Sequence, residues 1–262
     1  LCIVDDCSTD ERTTLYLKKI DDKNITVFFQ NKNNGIAVTT NKAISLSSGS
    51  YIAFLDNDDE LTRDALFEIV KCINHTNADI IYSDEDQISE KGKSLSAHYK
   101  PDYSPDLLFS HNYITHLLVV KNNLLKNIDG LSKKYDGAQD YDLILRLTEK
   151  AKKIYHIPKV LYHWRSIKTS TSSNPYAKRY AIEAGELALK EALKRRKIKG
   201  KVLEGKMPFF YRVQRHIMDT PLVSIIIPFK DKIEFTAKCI ESILKKSTYK
   251  NYEIICISNN SE

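Results

Sequence analysis

The chain has 262 residues, of which 42% are hydrophobic and 28% charged, and its formal net charge is +6 at pH 7. These values are typical of a globular protein with one large domain, or with one domain and part of another, and they exclude a disordered or fibrous chain. Acidic and basic residues are mixed along most of the sequence, which argues against a nucleic-acid partner.

Strands and helices alternate through the first 82 residues. The predicted elements, strands and helices in turn, span about 1–4, 11–20, 25–29, 36–47, 51–55, 61–74 and 78–82. Apolar residues at helical spacing, such as Leu66, Ile69, Val70 and Ile73, support the third helix. The alternation indicates an α/β fold with a doubly wound, mostly parallel sheet.

After residue 82 the pattern becomes less regular, which indicates a smaller, mixed region beside the main sheet. A hairpin is predicted within 87–112. The other predicted elements are a short helix at 106–110, a strand at 113–120, a helix at 140–151 and strands at 153–158 and 160–164. A flexible Ser/Thr-rich loop at 166–175, a long helix at 176–196 and a short strand at 209–216 follow.

The last forty residues repeat the pattern of the first ones. An apolar strand at 222–228, a helix at 234–244 and a strand at 252–257 end in Ser258 and Asn259, where the first copy has Asp5 and Asp6. The sequence therefore predicts a domain at 1–165, a loop, long helix and linker at 166–220, and the start of a second repeat at 221–262. Alternatively, 222–228 and its helix fold back to complete the first domain, as in a circular permutation.

Acidic residues follow the buried strand 51–55 directly, at Asp56, Asp58 and Asp59, with Asn57 between them. Clustered carboxylates repel one another unless a cation lies between them. An Asp-x-Asp at the carboxyl end of a strand favours Mg²⁺ or Mn²⁺ shared with substrate phosphates, at the edge where open α/β sheets bind ligands. The alternative is a solvated acidic turn that caps the next helix.

Five cysteines show no metal-binding spacing, and three of them lie in apolar runs, which favours a reducing, cytosolic setting. No run of apolar residues reaches the length of a membrane span. The Lys/Arg-rich stretch 190–206 fits a solvated helix face, and it is also the one feature that suggests peripheral contact with a membrane.

Six segments together resemble family 2 glycosyltransferases of the GT-A fold, and within them the tandem bacterial enzymes that build O-antigen, rhamnan or capsule chains. The segments are Ile3–Ser8, Asn34–Ala37 with Asn41, Phe54–Asp59, Tyr82–Asp86, Gly137–Leu143 and Leu161–Arg165. The resemblance covers 1–165 and begins again at 221–262. It implies an inverting enzyme that transfers a sugar from a UDP- or dTDP-sugar to a hydroxyl of a growing bacterial surface polysaccharide.

The resemblance also implies which residues bind the sugar nucleotide. They are Asp5, Asp6, Asn34, Gly35, Asp56, Asn57, Asp84 and Glu85. Asp6 would accept a hydrogen bond from N3–H of uracil or thymine, a donor that cytosine and adenine lack. A helix cap is the alternative for Asp6, and a surface loop is the alternative for Asp84 and Glu85.

For the metal, Mn²⁺ or Mg²⁺, the resemblance implies Asp58 as a ligand, with His163 as a second ligand or a packed core residue. Asp140 would be the general base that accepts the acceptor proton, unless it only caps its helix. Trp164 and Asp142 would lie on the acceptor side, Trp164 as an acceptor platform or a core residue and Asp142 as a structural partner of Asp140. The acceptor would be a glycan or a lipid-linked glycan, and the location cytoplasmic, at the inner face of the membrane where the acceptor is lipid-linked.

Two other functions fit part of the sequence. A sugar-nucleotide or glycan-binding module without catalysis would keep the acidic strand end, but it would not need Asp58 and Asp140 together. A nucleotidyltransferase also uses acidic residues on a doubly wound sheet, but the loop 229–232 lacks the glycines that such enzymes usually have after the first strand.

Overall fold

The computed structural model describes residues 1–167 and 179–261, which form two compact units, Leu1–Arg215 and His216–Glu262. The strands of the larger unit are β1 (Cys2–Asp5), β2 (Thr26–Phe29), β3 (Tyr51–Phe54), β4 (Glu60–Leu61), β5 (Ile80–Ser89), β6 (Ser94–His98), β7 (Leu118–Lys121), β8 (Ile154–Ser166), β9 (Gly200–Glu204) and β10 (Tyr211–Arg215). Its helices are α1 (Glu11–Lys18), α2 (Ile36–Leu46), α3 (Ala65–Thr76), α4 (Pro105–Leu108), α5 (Asn122–Lys126), α6 (Gln139–Lys150) and α7 (Arg179–Arg195). The loop predicted at 166–175 lies outside the described residues from position 168 onward.

A six-stranded mixed sheet forms the centre of the larger unit. Its strand order is β3–β7–β5–β8–β4, with β6 also paired to β5. β5 and β8 are parallel, whereas β7 runs antiparallel to both of its neighbours. β1 and β2 form a separate parallel pair. The α/β class is as predicted, but the reversed direction of β7 was not expected.

Side chains of the sheet alternate between two apolar clusters, one on each face. Ile80 and Tyr82 of β5 belong to the cluster that includes apolar residues of α6 and α7. Ile81, between them, belongs to the cluster that includes Ala65 and Ile69 of α3. The helices therefore cover both faces of the sheet and bury its middle.

Three predicted acids lie inside β5 rather than after it. Asp84, Glu85 and Asp86 are only 3%, 5% and 8% exposed. β5 continues to Ser89 because its second half pairs with β6 on one side and β8 on the other. The surface-loop alternative for Asp84 and Glu85 is therefore wrong, since both lie in a buried strand.

Several other boundaries differ from the predicted ones. The strand predicted from residue 113 begins only at Leu118. Leu61, predicted to open a helix, pairs with Tyr162 in the short strand β4, and α3 begins at Ala65. The two strands predicted at 153–158 and 160–164 are one strand, β8, whose register against β5 shifts in the middle.

α7 and the hairpin β9–β10 belong to the larger unit, which therefore extends beyond the boundary predicted at residue 165. A Cβ on Gly185 of α7 would come within 2.1 Å of the hydroxyl oxygen of Tyr211 in β10. That hydroxyl donates a hydrogen bond to the carbonyl oxygen of Ile182 at 2.9 Å. Helix and hairpin are thus in contact where only a glycine fits.

The smaller unit consists of β11 (Val223–Phe229), α8 (Ile233–Lys246) and β12 (Tyr252–Ser258), as the sequence predicted. β11 and β12 pair in parallel over seven residues each. That this unit starts a second repeat, or instead completes the first domain, stays a prediction. Among residues 1–167 and 179–261 no helix combines the length and apolar character needed to cross a membrane.

We predict that Gly185→Ala lowers the free energy of unfolding by about 1–3 kcal/mol, as expected for overpacking. The added methyl group would collide with the Tyr211 hydroxyl. At an uncrowded position in a helix, the same substitution would stabilise the protein by up to about 1 kcal/mol. Urea unfolding followed by circular dichroism measures the difference.

A double-mutant cycle tests the cause of this loss. In a Tyr211→Phe background the colliding oxygen is gone, and Gly185→Ala should cost less than in the wild type. An equal cost in both backgrounds, or a rise in stability from Gly185→Ala alone, would contradict the proposed contact.

Candidate active site

A cavity of about 840 Å³ opens in the larger unit. Carboxylates from three separate parts of the chain line it: Asp56 and Asp58 after β3, Glu85 of β5, and Asp140 in the first turn of α6. His116 and Trp164 also line it. The structure thus brings together the acidic strand end and the predicted general base, which are more than eighty residues apart in sequence.

The acidic segment after β3 is held in place by β8. The Tyr162 hydroxyl donates to Oδ2 of Asp59 at 2.5 Å, and the backbone N–H of Arg165 donates to Oδ1 at 2.7 Å. The Arg165 side chain donates from Nε to the carbonyl oxygen of Asp58 at 2.8 Å. Asp59 therefore anchors the turn, and the carboxylates of Asp56 and Asp58 are directed to the cavity that they line.

The pKa of Asp56 is raised, although its side chain is about half exposed. The surrounding protein removes part of its hydration, and the carboxylates of Asp59, Asp140 and Asp58 add repulsion. His116 opposes the rise, because its Nε2 lies 3.9 Å from Oδ2 of Asp56. A concentration of negative charge of this kind is stabilised by a cation.

Asp56, Asp59 and His116 form a possible metal-binding group, with ligand atoms that all lie within 4.8 Å of one another. The His116 ring stacks on Tyr162 with a centroid separation of 4.7 Å, which fixes its orientation. Oxygen and imidazole donors suit Mn²⁺, and the carboxylates alone suit Mg²⁺. Asp59 also accepts hydrogen bonds from Tyr162 and Arg165. Asp58, the predicted ligand, lines the cavity but does not belong to this group, so its contact with a metal stays a prediction.

His116 was not recognised from the sequence, since it lies in the predicted strand 113–120. In the structure it precedes β7, and Phe54 at the end of β3 pairs with Leu118 at the start of β7. In an antiparallel pair, the residues that precede one strand lie beside the residues that follow the other strand. Had β7 been recognised as antiparallel, this pairing would have placed His116 beside Asp56.

Asp140 lies in the first turn of α6 but is not its cap, because Ala138 occupies the N-cap position. The helix-cap alternative is therefore wrong. Burial raises the pKa of Asp140, while His116, backbone N–H groups of the helix start and the side chain of Asn112 oppose the rise. Nδ2 of Asn112 donates to Oδ2 of Asp140 at 2.9 Å, which holds this carboxylate in a fixed orientation.

Asp142 is fully buried and does not line the cavity. Its Oδ2 accepts hydrogen bonds from Nε and Nη2 of Arg146 at 2.9 and 2.6 Å. Arg146 also donates to the carbonyl oxygen of Gly130 at 2.5 Å. The predicted contact of Asp142 with the acceptor does not fit this burial, and its role here is to hold the loop before α6.

Asp6, Asn34 and Gly35, predicted to bind the nucleotide, lie together at the start of α2. Oδ1 of Asp6 accepts from the backbone N–H of Asn34 and from Nε2 of Gln30, and Oδ2 accepts from the backbone N–H of Gly35, each at 2.8 Å. Partial burial disfavours the charge, but the two backbone donors outweigh it and lower the pKa of Asp6. The carboxylate stays ionised and fixes the turn from which Ile36 reaches the cavity.

The remaining predicted donor residues differ in position. Asp5 is buried and accepts a hydrogen bond from the backbone N–H of Ser8 at 3.2 Å. Asn57 is exposed in the turn between β3 and β4. Of the two predicted donor residues in β5, Glu85 lines the cavity, whereas Asp84 does not, and its Oδ1 lies 2.8 Å from Nε2 of His156.

His163, the second predicted metal ligand, does not belong to the group formed by Asp56, Asp59 and His116. Its Nδ1 lies 2.5 Å from Oδ1 of Asp86. A carboxylate on one ring nitrogen is typical of histidines that bind a metal through the other. The structure nevertheless gives His163 a buried partner of its own, so a metal contact of this residue stays a prediction.

Comparisons of the sequence support the resemblance. The family model of glycosyl transferase family 2 matches residues 1–131 and 224–262, which is more than half of the chain. The O-antigen biosynthesis protein RfbC of Myxococcus xanthus is 34% identical over 99% of this chain and 20% of its own length. An uncharacterized protein of Sinorhizobium fredii, y4gI, is 43% identical over 100% of this chain and 29% of its own length. The chain thus spans less than a third of these relatives.

Comparison of the structure gives the same fold. The crystal structure of Staphylococcus aureus TarS, residues 1–349, in complex with UDP-GlcNAc matches with a TM-score of 0.59 at 20% identity, over 73% of this chain and 57% of that one. This likeness confirms the GT-A fold that the six segments implied. Together with the family match, it settles the assignment. The chain belongs to glycosyl transferase family 2.

Proposed function

We propose that the larger unit is an inverting glycosyltransferase that transfers a sugar from a UDP- or dTDP-sugar to a hydroxyl group of a growing bacterial surface polysaccharide. The observation that carries this proposal is the cavity in which Asp140 faces the same space as Asp56 and Asp58. A proton acceptor would activate the attacking hydroxyl, and a cation held by the acidic turn would stabilise the departing diphosphate, which together serve a single displacement at a sugar carbon.

On the acceptor side, Asp140 removes the proton of the attacking hydroxyl. Asn112 donates a hydrogen bond to this carboxylate, which lines the cavity, and so fixes its orientation there. The raised pKa makes this carboxylate a stronger base than an ordinary aspartate. A single attack on the face of the sugar opposite to the nucleotide inverts the configuration at that carbon.

On the donor side, Asp6 and the start of α2 form the base-binding region, and Asp56 lies towards the ribose and sugar. Asp58, Asp56 and His116 would hold Mn²⁺ or Mg²⁺, which when bound supplies positive charge for the departing diphosphate. Asn34 and Gly35 present their backbone N–H groups to Asp6, so its carboxylate keeps a fixed position for the N3–H of uracil or thymine.

The names of related proteins favour a polysaccharide as the product. Besides the O-antigen protein RfbC, the chondroitin synthase of Escherichia coli is 30% identical over 62% of this chain and 24% of its own length. TarS was crystallised with UDP-GlcNAc, which favours a sugar nucleotide as the donor here. A cytoplasmic location, at the inner membrane face where the acceptor is lipid-linked, is part of the same proposal.

We predict that Asp140→Asn lowers kcat by at least about a hundredfold, because general bases typically contribute 10²–10⁴-fold. Binding of the donor should persist, since the amide keeps the size of the side chain. The measurements are turnover of the sugar nucleotide and titration with UDP. A variant with wild-type turnover would contradict the assignment of the base.

The pH dependence of turnover tests the environment of the same residue. The base acts only when ionised, so activity is lost as the pH falls through the raised pKa of Asp140. Asn112→Ala removes a hydrogen bond that stabilises the ionised carboxylate of Asp140. The pH below which this variant loses activity should therefore be higher than in the wild type. An unchanged or opposite shift would contradict the proposed role of Asn112.

Calorimetric titration with UDP and dTDP, with and without Mn²⁺, tests the donor site. We expect Mn²⁺ to strengthen the binding of at least one nucleotide, and Asp58→Asn to weaken this metal-dependent binding by at least about tenfold. Asp129→Asn changes an exposed carboxylate that does not line the cavity, and should have no effect. If nucleotide binding did not depend on Mn²⁺, the assignment of Asp58 as a metal ligand of the donor site would be contradicted.

A further inference from the structure

One wall of the cavity is aromatic and does not come from the acidic segments. It is formed by His111, by Tyr180 at the start of α7 and by Phe209 and Phe210 before β10. The rings of Phe210 and His111 stack with a centroid separation of 4.6 Å and an angle of 24° between their planes. We call these four residues the aromatic wall.

The backbone of the aromatic wall is held from several sides. The backbone N–H of Tyr211 donates to the carbonyl oxygen of Ser110 at 2.7 Å, next to His111. The Phe210 carbonyl oxygen accepts from the backbone N–H of Gly205 at 2.7 Å. Phe209 has a φ of +63°, a costly conformation for a bulky residue that recurs at ligand sites.

The loop before Asp140 is in contact with the same wall. A Cβ on Gly137 would come within 2.6 Å of Cβ of Ala181 and 2.8 Å of Cε2 of Tyr180. Asp140 follows Gly137 by three residues and lines the same cavity. A molecule seated on the aromatic wall therefore lies in the cavity that also holds the proposed base.

We propose that the aromatic wall is the binding site of the acceptor glycan and that it takes a neutral pyranose ring. One face of such a ring presents C–H groups, which pack against the negative face of an aromatic ring. None of the described lining residues is Lys or Arg, and burial lowers the pKa of His111, the imidazole of the wall, so the described part of the wall carries no permanent positive charge that would select a phosphate or an acidic sugar. This inference rests on the proposed function. It names the chemical class of the acceptor that the enzyme would use.

Trp164 makes the proposal directly testable, because it is the one tryptophan of the chain and lines the cavity. The whole chain is titrated with four neutral hexasaccharides, of maltose, cellulose, chitin and α-rhamnose type, and Trp164 fluorescence is followed. We expect saturable binding of at least one. Phe210→Ala should weaken it at least about tenfold, a loss expected when an aromatic contact and its buried area are removed.

Three variants control for a general loss of structure. Phe210→Tyr keeps the ring and should bind like the wild type, whereas Phe210→Leu keeps apolar bulk without the ring and should bind weakly. Met207→Ala changes a side chain of the same turn that is 56% exposed and outside the cavity lining, and should have no effect. Thermal unfolding by circular dichroism confirms that each variant is folded.

Titration of the same variants with UDP and Mn²⁺ separates this inference from the proposed function. Unchanged UDP affinity together with weakened glycan binding supports the aromatic wall as the acceptor site. The inference is overturned if none of the four glycans binds, if Phe210→Leu binds as well as the wild type, or if Phe210→Ala weakens UDP as much as the glycan. If the wild-type chain bound neither UDP nor dTDP in the presence of Mn²⁺, the proposed donor would be refuted instead.

Discussion

The larger unit is organised around three carboxylates buried inside the strand β5. Taking charges out of water is costly unless each one is paired, and removing one partner leaves an uncompensated charge. Glu85 is paired with Nζ of Lys100 at 3.2 Å, and this ammonium group is itself fully buried. The Lys100 ammonium and the His116 backbone N–H help to lower the pKa of Glu85 against the effect of burial. Asp84 and Asp86 are paired with His156 and His163 of the neighbouring strand β8.

This pairing determines where the cavity residues lie. Nζ of Lys100 also donates to the carbonyl oxygens of Ile114 and His116, so the segment before β7 is attached to the sheet. The same segment carries Asn112 against Asp140 and presents the His116 ring to Asp56. Charges buried in the middle of the sheet thereby help to position two cavity carboxylates, Asp56 and Asp140, that come from distant parts of the chain.

Local signals in the sequence were sufficient for the α/β class, for most helices and for the acidic turn after β3. Asp140 could be located because a helix start is a short-range pattern. His116 and the aromatic wall could not, since their positions depend on the direction of β7 and on the packing of α7, which are set by contacts between distant segments. The buried state of Asp84 and Glu85 was missed because polarity predicts a loop, and only tertiary partners such as Lys100 keep such residues in a strand.

The cavity is assembled from residues as far apart as Ile36 and Tyr211. Such long-range closure is intrinsically slow, because loop entropy is lost before the contacts form. During synthesis the acidic turn and the sheet strands emerge first, and the helix and hairpin that complete the cavity emerge after them. A nascent chain that ends before residue 179 therefore carries every proposed cation ligand but lacks Tyr180, Phe209 and Phe210. The complete cavity therefore cannot form before α7 and the hairpin β9–β10 have been synthesised.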